Sequence, residues 1–209
     1  HDFVRGVVGW LPLVEPDLEA RLDAVAGHPA ACKLRGFRHV LQAEPDEYFA
    51  RSDFDRGLRA LERRGHAYDL LVIERQLPAA IALVDRHPGL TIILDHLAKP
   101  RVAAGDLQPW ARRLRELARR PNVACKLSGL VTEADVRTWT PAALRPYFEV
   151  ALEAFGPDRL LFGSDWPVCL AGVGYVRWRE VVEEAVRPCS PDERAAIFGG
   201  NAVRLYRLP

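Results

Sequence analysis

The sequence has no methionine, and it has no apolar run long enough to cross a membrane. Because translation starts at methionine, we expect an N-terminal part of the protein to precede His1. The longest apolar runs, such as residues 70–73, are far shorter than the roughly 20 residues of a membrane-spanning helix. No basic start followed by an apolar stretch predicts a signal peptide. We therefore expect a cytoplasmic protein without a membrane partner.

An excess of either charge is also lacking. The 29 Lys and Arg residues against 28 Asp and Glu residues give a formal net charge of +1. Nucleic-acid binding usually needs a clear basic excess, so no nucleic-acid partner is expected. The four cysteines, at positions 32, 125, 169 and 189, lie far apart and form no C-x-x-C pair. We expect neither a disulfide nor a cysteine-built zinc site, and we expect the thiols to be buried as small apolar groups.

Several common active-site motifs are missing as well. The sequence contains no G-x-S-x-G elbow, no P-loop, no H-E-x-x-H pair and no Rossmann fingerprint. The sequence therefore gives no indication of a serine hydrolase, a phosphate-binding fold or a zincin. An open doubly wound sheet usually has a glycine-rich turn after its first strand, but residues 14–17 read Val-Glu-Pro-Asp. This pattern disfavours that fold.

Short apolar runs alternate with segments of helical periodicity along the chain. The runs predict six strands, at residues 7–14, 31–37, 68–73, 91–95, 123–128 and 160–163. Because the runs are continuous, they are expected to be buried on both faces of a parallel sheet. We predict one α/β domain over residues 1–209, a parallel (β/α)8 TIM-type barrel. Such a barrel needs about 250 residues, so we expect its first one or two strand–helix units to be absent.

Two strands are followed by side chains that can carry chemistry. The active site of a β/α barrel lies at the carboxyl ends of its strands. Asp165 follows the last strand, and a carboxylate there can bind a metal, orient water or transfer a proton. Its alternative role is a helix cap or loop acceptor. His96 follows the strand at 91–95 as a metal ligand or acid–base group, or else as a hydrogen-bonded core histidine. His39 is a weaker candidate.

Two predicted strands share the pattern A-C-K-L-x-G, at residues 31–36 and 124–129. Alternate residues of a strand face opposite sides, and the outward side of a barrel packs against apolar helices. Four polar side chains are therefore expected to point into the lumen: Lys33, Arg35, Lys126 and Ser128. Buried cations need partners, so these residues predict a polar site for an oxygen-rich or anionic ligand. The alternative is a structural ion pair of Lys126 with Asp165 or Asp95.

Five ordered segments resemble the amidohydrolase superfamily. They are residues 33–39 (KLRGFRH), 68–72 (YDLLV), 94–100 (LDHLAKP), 125–133 (CKLSGLVTE) and 162–167 (FGSDWP). The closer resemblance is to its amidohydrolase 2 branch, which holds sugar lactonases of the L-fuconolactonase and L-rhamnonolactonase type. The resemblance implies a distorted (β/α)8 barrel that hydrolyses a cyclic ester, with a small sugar-derived lactone (an aldonolactone) as its partner. A homo-oligomer is a further option that the sequence leaves open.

The resemblance also implies roles for individual residues. Asp165 would activate the attacking water and return the proton to the departing alkoxide, and His96 matches the family's mid-barrel histidine. Four side chains would hold substrate oxygens or line the pocket: Arg35, Arg38, Lys126 and Trp166. The branch works without a cofactor or with one divalent metal ion such as zinc, for which His96 and Asp165 would be two ligands. The His-x-His pair of the family's first strand does not occur in this sequence.

Two alternatives to a lactonase stay open at this point. One is a metal-dependent decarboxylase of a related amidohydrolase branch, which would require its metal. The other is a catalytically incomplete barrel that binds a ligand or partner without turning it over. Two open barrel edges would expose unpaired backbone groups in that case.

Overall fold

Six apolar segments form one parallel sheet in the computed structural model, which describes residue 1 and residues 3–209. The strands are β1 (Val7–Gly9), β2 (Leu34–His39), β3 (Ala67–Leu70), β4 (Ile92–Leu94), β5 (Val123–Leu127) and β6 (Leu160–Phe162). Their order in the sheet follows their order in the chain, and every neighbouring pair is parallel. A doubly wound sheet would reverse its strand order at a switch point. The sequential order therefore supports a TIM-type arrangement.

Eight helices in the described part of the chain accompany the sheet: the first five connect successive strands, and the last three follow β6. They are α1 (Leu18–Ala26), α2 (Ser52–Arg63), α3 (Leu77–Asp85), α4 (Trp110–Ala118), α5 (Pro141–Phe155), α6 (Tyr175–Ala185), α7 (Pro191–Ala195) and α8 (Asn201–Leu205). Short polar signals start some of them: the Thr140 side chain accepts from the Ala143 amide before α5, and Ser190 forms a capping box with Glu193 before α7. Within the described part of the chain, no helix combines the length and apolar character of a membrane span.

The sequence predicts all six strands, but their boundaries differ, and the largest differences are at β1, β2 and β3, which ends at Leu70 instead of residue 73. β1 ends at Gly9 instead of residue 14, and β2 begins only at Leu34. Residues Pro29–Lys33 form a 3-10 turn instead, which the His28 side chain caps by accepting from the Ala30 amide at 3.1 Å. The proline fixes the backbone for the first turn of a helix. The repeated A-C-K-L-x-G pattern therefore adopts two different structures.

The sheet separates a large apolar layer from a small one. Phe37, Tyr68 and Leu94 belong to the large layer between sheet and helices. One inward residue from each of β3 to β6 forms the small layer: Ala67, Ile93, Ala124 and Leu161. Leu205 and Tyr206, at the end of α8, pack against this small layer. The amino-terminal half of the concave face is thus closed by apolar contacts, and polar side chains are left for the carboxyl ends of the strands.

The cysteines are all free. Cys125 and Cys169 are buried, as predicted, and Cys189 is partly buried. Cys32 is exposed, so the prediction of burial is wrong there. It lies in the 3-10 turn, at the protein surface, and not in the predicted strand.

Candidate active site

Three side chains from neighbouring strand ends meet at the carboxyl edge of the sheet. The Nε2 atom of His96, after β4, lies 3.5 Å from Oδ1 of Asp165, which follows β6. The Nδ1 atom of His96 lies 2.8 Å from Oγ of Ser128, which follows β5. Ser128 is fully buried, and His96 is 8% exposed. These contacts fix the imidazole between a hydroxyl group and a carboxylate.

The backbone around His96 has an unusual conformation. His96, Leu97, Ala98 and Lys99 all have φ between 49° and 56°, although none of them is glycine. The left-handed region costs such residues roughly 1–2 kcal/mol each, so the surrounding contacts must impose it. One of these contacts is a 2.7 Å hydrogen bond that the Trp110 indole donates to the Leu97 carbonyl oxygen. Strain of this kind is typical of functional sites, and here it turns His96 toward β5 and β6.

Two glycines allow the three side chains to approach one another. A Cβ atom on Gly129 would lie 2.7 Å from Cβ and 2.8 Å from Cγ of His96, and Gly129 also has a φ of +69°. A Cβ atom on Gly163 would lie 3.0 Å from Cβ of Ser128. Side chains at these positions would displace His96 or Ser128. The glycines of the CKLSG and FGSD segments are therefore required by the site and not only by the turns.

Replacing Gly129 with Ala should push the His96 ring away from Asp165. The kcat of any reaction in which these two side chains take part should then fall at least tenfold. A matched control is Gly105→Ala, because Gly105 has the same φ of +69° but no atom within 4 Å of the place that a Cβ would take. Both substitutions place a non-glycine residue in the left-handed region at a cost of roughly 1–2 kcal/mol, but only Gly129→Ala also creates the clash with His96. Steady-state kinetics and thermal unfolding of both variants check this. Equal kcat values in the two variants would contradict a positioning role for Gly129.

Burial controls the charge of His96. Desolvation lowers the pKa of His96, while the nearby carboxylates of Asp95 and Asp165 oppose that shift without reversing it. The imidazole is therefore neutral near pH 7, with one nitrogen donating and the other accepting. If the Ser128 hydroxyl donates to Nδ1, then Nε2 carries the hydrogen and faces Asp165. The opposite arrangement leaves the Nε2 lone pair facing Asp165.

Asp165 is held by a tightly bonded segment after β6. The Gly163 amide donates to the Leu127 carbonyl oxygen at 3.3 Å, and the Trp178 indole donates to the Gly163 carbonyl oxygen at 2.8 Å. The Cys169 amide donates to the carbonyl oxygen of Asp165 at 2.9 Å. The Asp165 side chain is 14% exposed and the backbone has a φ of +56°. The carboxylate thus has a fixed position at which solvent can still reach it.

A charged network lies beside these three residues on the same concave face. Lys126 Nζ lies 2.5 Å from Oδ2 of Asp69 and 2.7 Å from Oδ1 of Asp95. Arg38 Nη1 donates to the other Asp95 oxygen, Oδ2, at 3.1 Å. The Tyr206 hydroxyl donates to Oδ1 of Asp69 at 2.7 Å. Two buried carboxylates therefore hold both cations, and the residue after α8 supplies a further hydrogen bond.

The pKa values of this network follow from burial and pairing. Burial raises the pKa of Asp69, and the neighbouring Asp95 adds to this, while Lys126 opposes it. For Asp95 burial acts in the same direction, but Lys126, His96 and Arg38 outweigh it and the pKa is lowered. Burial alone would lower the pKa of Lys126, yet the two carboxylates raise it well above its usual value. Lys126 is therefore a permanent cation and not an acid–base group.

The structure brings most of the predicted site residues together. Five of them surround one concave region: Arg38, His96, Lys126, Ser128 and Asp165. Trp166 follows Asp165 at the rim, where it is 65% exposed. Lys126 pairs with Asp95, as the structural alternative predicted, and with Asp69, but not with Asp165.

Two residues of the first A-C-K-L-x-G segment, residues 31–36, lie away from this concave region. Arg35 is at the amino end of β2, where its guanidinium donates to the Leu34 carbonyl oxygen at 3.3 Å. Since β2 begins at Leu34, Arg38 and not Arg35 reaches the carboxyl end, which corrects the placement predicted for Arg35 in the upper lumen. The prediction for Lys33 is wrong, because a 3-10 turn does not follow strand alternation. Its Nζ donates to the His1 carbonyl oxygen at 2.9 Å.

Two residues of the site, Asp69 and Tyr206, were not predicted from the sequence. Asp69 is the clearest case, because a carboxylate inside the buried segment Ala67–Leu70 is itself a signal of a paired or functional charge. Tyr206 carries no such signal, since its partner is 137 positions away. His39 is not in the site: it bonds Glu44 at 2.8 Å and stacks on Tyr48.

His96 and Asp165, the two residues predicted as metal ligands, lie 3.5 Å apart. Among residue 1 and residues 3–209, no three His, Cys, Asp or Glu side chains form a group that could hold a metal ion. Catalytic zinc usually has three protein ligands. The described residues alone therefore do not make a complete zinc site.

Comparison with known proteins finds one family model, two lactonases and one crystal structure that each match almost the whole chain. The amidohydrolase family Amidohydro_2 matches residues 1–208. An L-fucono-1,5-lactonase of Burkholderia multivorans is 45% identical over 99% of this chain and 72% of its own length. A second L-fucono-1,5-lactonase, of Burkholderia ambifaria, is 41% identical over 99% of this chain and 71% of its own length. The crystal structure of a Burkholderia multivorans amidohydrolase with bound zinc superposes with a TM-score of 0.91, at 45% identity, over 98% of this chain and 74% of that one.

Proposed function

This chain belongs to the amidohydrolase family Amidohydro_2, and we propose that it hydrolyses the ring ester of a sugar-derived lactone. The observation that carries the proposal is the contact between His96 and Asp165 at the mouth of a polar concave face. Its relatives at 45% and 41% identity are both L-fucono-1,5-lactonases. We therefore propose a deoxy-aldonolactone of that type as the first substrate to test.

Asp165 is the proposed general base and acid. Its carboxylate accepts a proton from water as the water oxygen bonds to the lactone carbonyl carbon. The ring C–O bond then breaks, and Asp165 passes the same proton to the departing alkoxide oxygen. The product is an open-chain hydroxy acid, whose carboxyl group ionises at neutral pH and releases one proton to the solution.

The neighbouring side chains support this chemistry. In the proposed arrangement the Ser128 hydroxyl donates to His96 Nδ1, and the hydrogen on Nε2 faces the Asp165 carboxylate. Arg38 and Lys126 form the polar wall on which substrate hydroxyl and carbonyl oxygens rest, and Trp166 forms the rim. Arg35 is left out of this group, because it lies at the amino end of β2.

We also propose that the six strands are part of one (β/α)8 barrel domain. The sheet is sequential and parallel, and the chain spans 74% of the solved amidohydrolase on which it superposes. Eight strands in the same order would bring further side chains to the same edge of the sheet. The barrel would then lack its first one or two units in this chain.

A panel of aldonolactones tests the proposed activity. The 1,5- and 1,4-lactones of several aldonic acids, L-fuconic acid included, are incubated with the protein, and proton release is followed in weak buffer after subtraction of spontaneous opening. We expect turnover of at least one member, with the 1,5-lactone of L-fuconic acid among the best. A folded protein that turns over no member would contradict the proposal.

A further inference from the structure

Both cations of the concave face are already paired with buried carboxylates. Lys126 contacts Asp69 and Asp95 at 2.5 and 2.7 Å, and Arg38 contacts Asp95 at 3.1 Å. The side chains of Asp69 and Asp95 are 2% and 0% exposed. Because these carboxylates cannot turn to water, they compete permanently with any anionic ligand for the two cations. Neither cation therefore offers an unpaired positive charge to a substrate.

The charges of this region do not balance to zero. Asp165 adds a third carboxylate beside two cations, and it is near enough to Arg38 to raise the pKa of that guanidinium together with Asp95 and Asp69, against the effect of burial. Lys99 does not change the balance, because it is paired with Glu133 at 3.4 Å. Among Arg38, Lys126, Asp69, Asp95 and Asp165, three carboxylates face two cations, which leaves one negative charge beside the place where the substrate would bind.

We propose that Asp69 and Asp95 determine the charge selectivity of this site: they cancel Lys126 and Arg38, so that the site admits an uncharged lactone and rejects carboxylates. This inference rests on the proposed lactonase function and adds the property by which the substrate is chosen. It also applies to the product. Hydrolysis converts an uncharged ring ester into a carboxylate, and that carboxylate is repelled by the residues among which it forms.

The first test needs no substitution. Two lactones with the same ring are compared, one uncharged and one with a carboxylate in place of its terminal carbon group. A neighbouring unit charge in a partly buried site changes ion binding by about tenfold, so kcat/KM should be at least about tenfold higher for the uncharged lactone. Raising the salt concentration should increase kcat/KM for the anionic lactone only, because salt screens repulsion. Equal kcat/KM values, or a decrease with salt, would overturn the inference.

The second test removes one of the two buried charges. Asp69→Asn keeps the size of the side chain, and it should reduce the preference for the uncharged lactone about tenfold. Inhibition by the added hydroxy-acid product should become stronger by a similar factor. The control is Asp85→Asn, since Asp85 is an exposed carboxylate that pairs with Arg120 outside the sheet, and there both quantities should stay unchanged. An unchanged preference in Asp69→Asn would show that Asp69 does not set it.

The outcomes separate this inference from the function on which it rests. If no lactone is turned over, the proposed function fails and the selectivity fails with it. If both lactones are turned over equally well, the lactonase function stands and only the selectivity is overturned. Should Asp69→Asn not fold, the salt dependence of the unmodified protein decides the question.

Discussion

Replacing Asp165 with Asn should lower kcat for lactone hydrolysis about a thousandfold, as expected for the loss of a general base and acid. The amide has the same shape as the carboxylate, so the hydrogen bonds of residues 163–169 stay in place and KM should change little. An effect on kcat with an almost unchanged KM indicates an interaction that is made in the transition state. Steady-state kinetics with the best lactone of the panel gives both constants.

The matched control for this substitution is Asp106→Asn. Asp106 is an exposed carboxylate that pairs with Arg101 at 3.3 Å, and its loss should leave kcat unchanged. Thermal unfolding of both variants confirms that each is folded. A kcat for Asp165→Asn within tenfold of the unmodified protein would refute the proton-transfer role and would reduce Asp165 to a partner of His96.

Replacing Lys126 with Met should destabilise the protein by about 3–5 kcal/mol, the usual cost of removing one partner of a buried ion pair. The substitution leaves Asp69 and Asp95 buried and without their shared cation. Urea unfolding measures the loss. Lys99→Met is the control, because Lys99 is similarly exposed but pairs with Glu133, which is 26% exposed, and its replacement should cost about 1 kcal/mol or less.

The pH dependence of this loss has a definite sign. Burial and Asp95 raise the pKa of Asp69 in the unmodified protein, and the loss of Lys126 removes the group that opposes this. A carboxyl group whose pKa is higher in the folded than in the unfolded state destabilises the fold when it is ionised, and the penalty is relieved as it binds a proton. The deficit of Lys126→Met should therefore shrink between about pH 7 and about pH 5. A deficit that grows as the pH falls would contradict the assignment.

The order of apolar runs predicts the strands, and the ends of the runs predict that His96 and Asp165 lie at the carboxyl edge of the sheet, where the structure has them 3.5 Å apart. Both predictions rest on local properties of the sequence, namely hydrophobicity and the position of a polar residue after a run. The placement of Arg35 and Lys33 failed for a local reason too, because Pro29 starts a 3-10 turn that shifts the beginning of β2. Strand alternation cannot be applied until the first residue of a strand is known.

Other features of the site depend on contacts that no local pattern contains. Gly129 is needed because the His96 ring, from another strand end, lies against its α-carbon. Lys126 is shared between Asp69 and Asp95 because three strands bring their side chains to one height. Such contacts depend on the register between neighbouring strands. The register cannot be read from one strand sequence alone.

The hydrogen bond between Tyr206 and Asp69 can form only late in the synthesis of the chain. The two residues are 137 positions apart, so β3 leaves the ribosome long before the residue that completes the bonding of its buried carboxylate. Chains fold from the N-terminus during synthesis, and contacts distant in sequence form late. The nascent sheet therefore carries an incompletely bonded charge until the residue after α8 emerges. Tyr206 therefore adds its hydrogen bond to the Asp69 carboxylate only after all six strands have been synthesised.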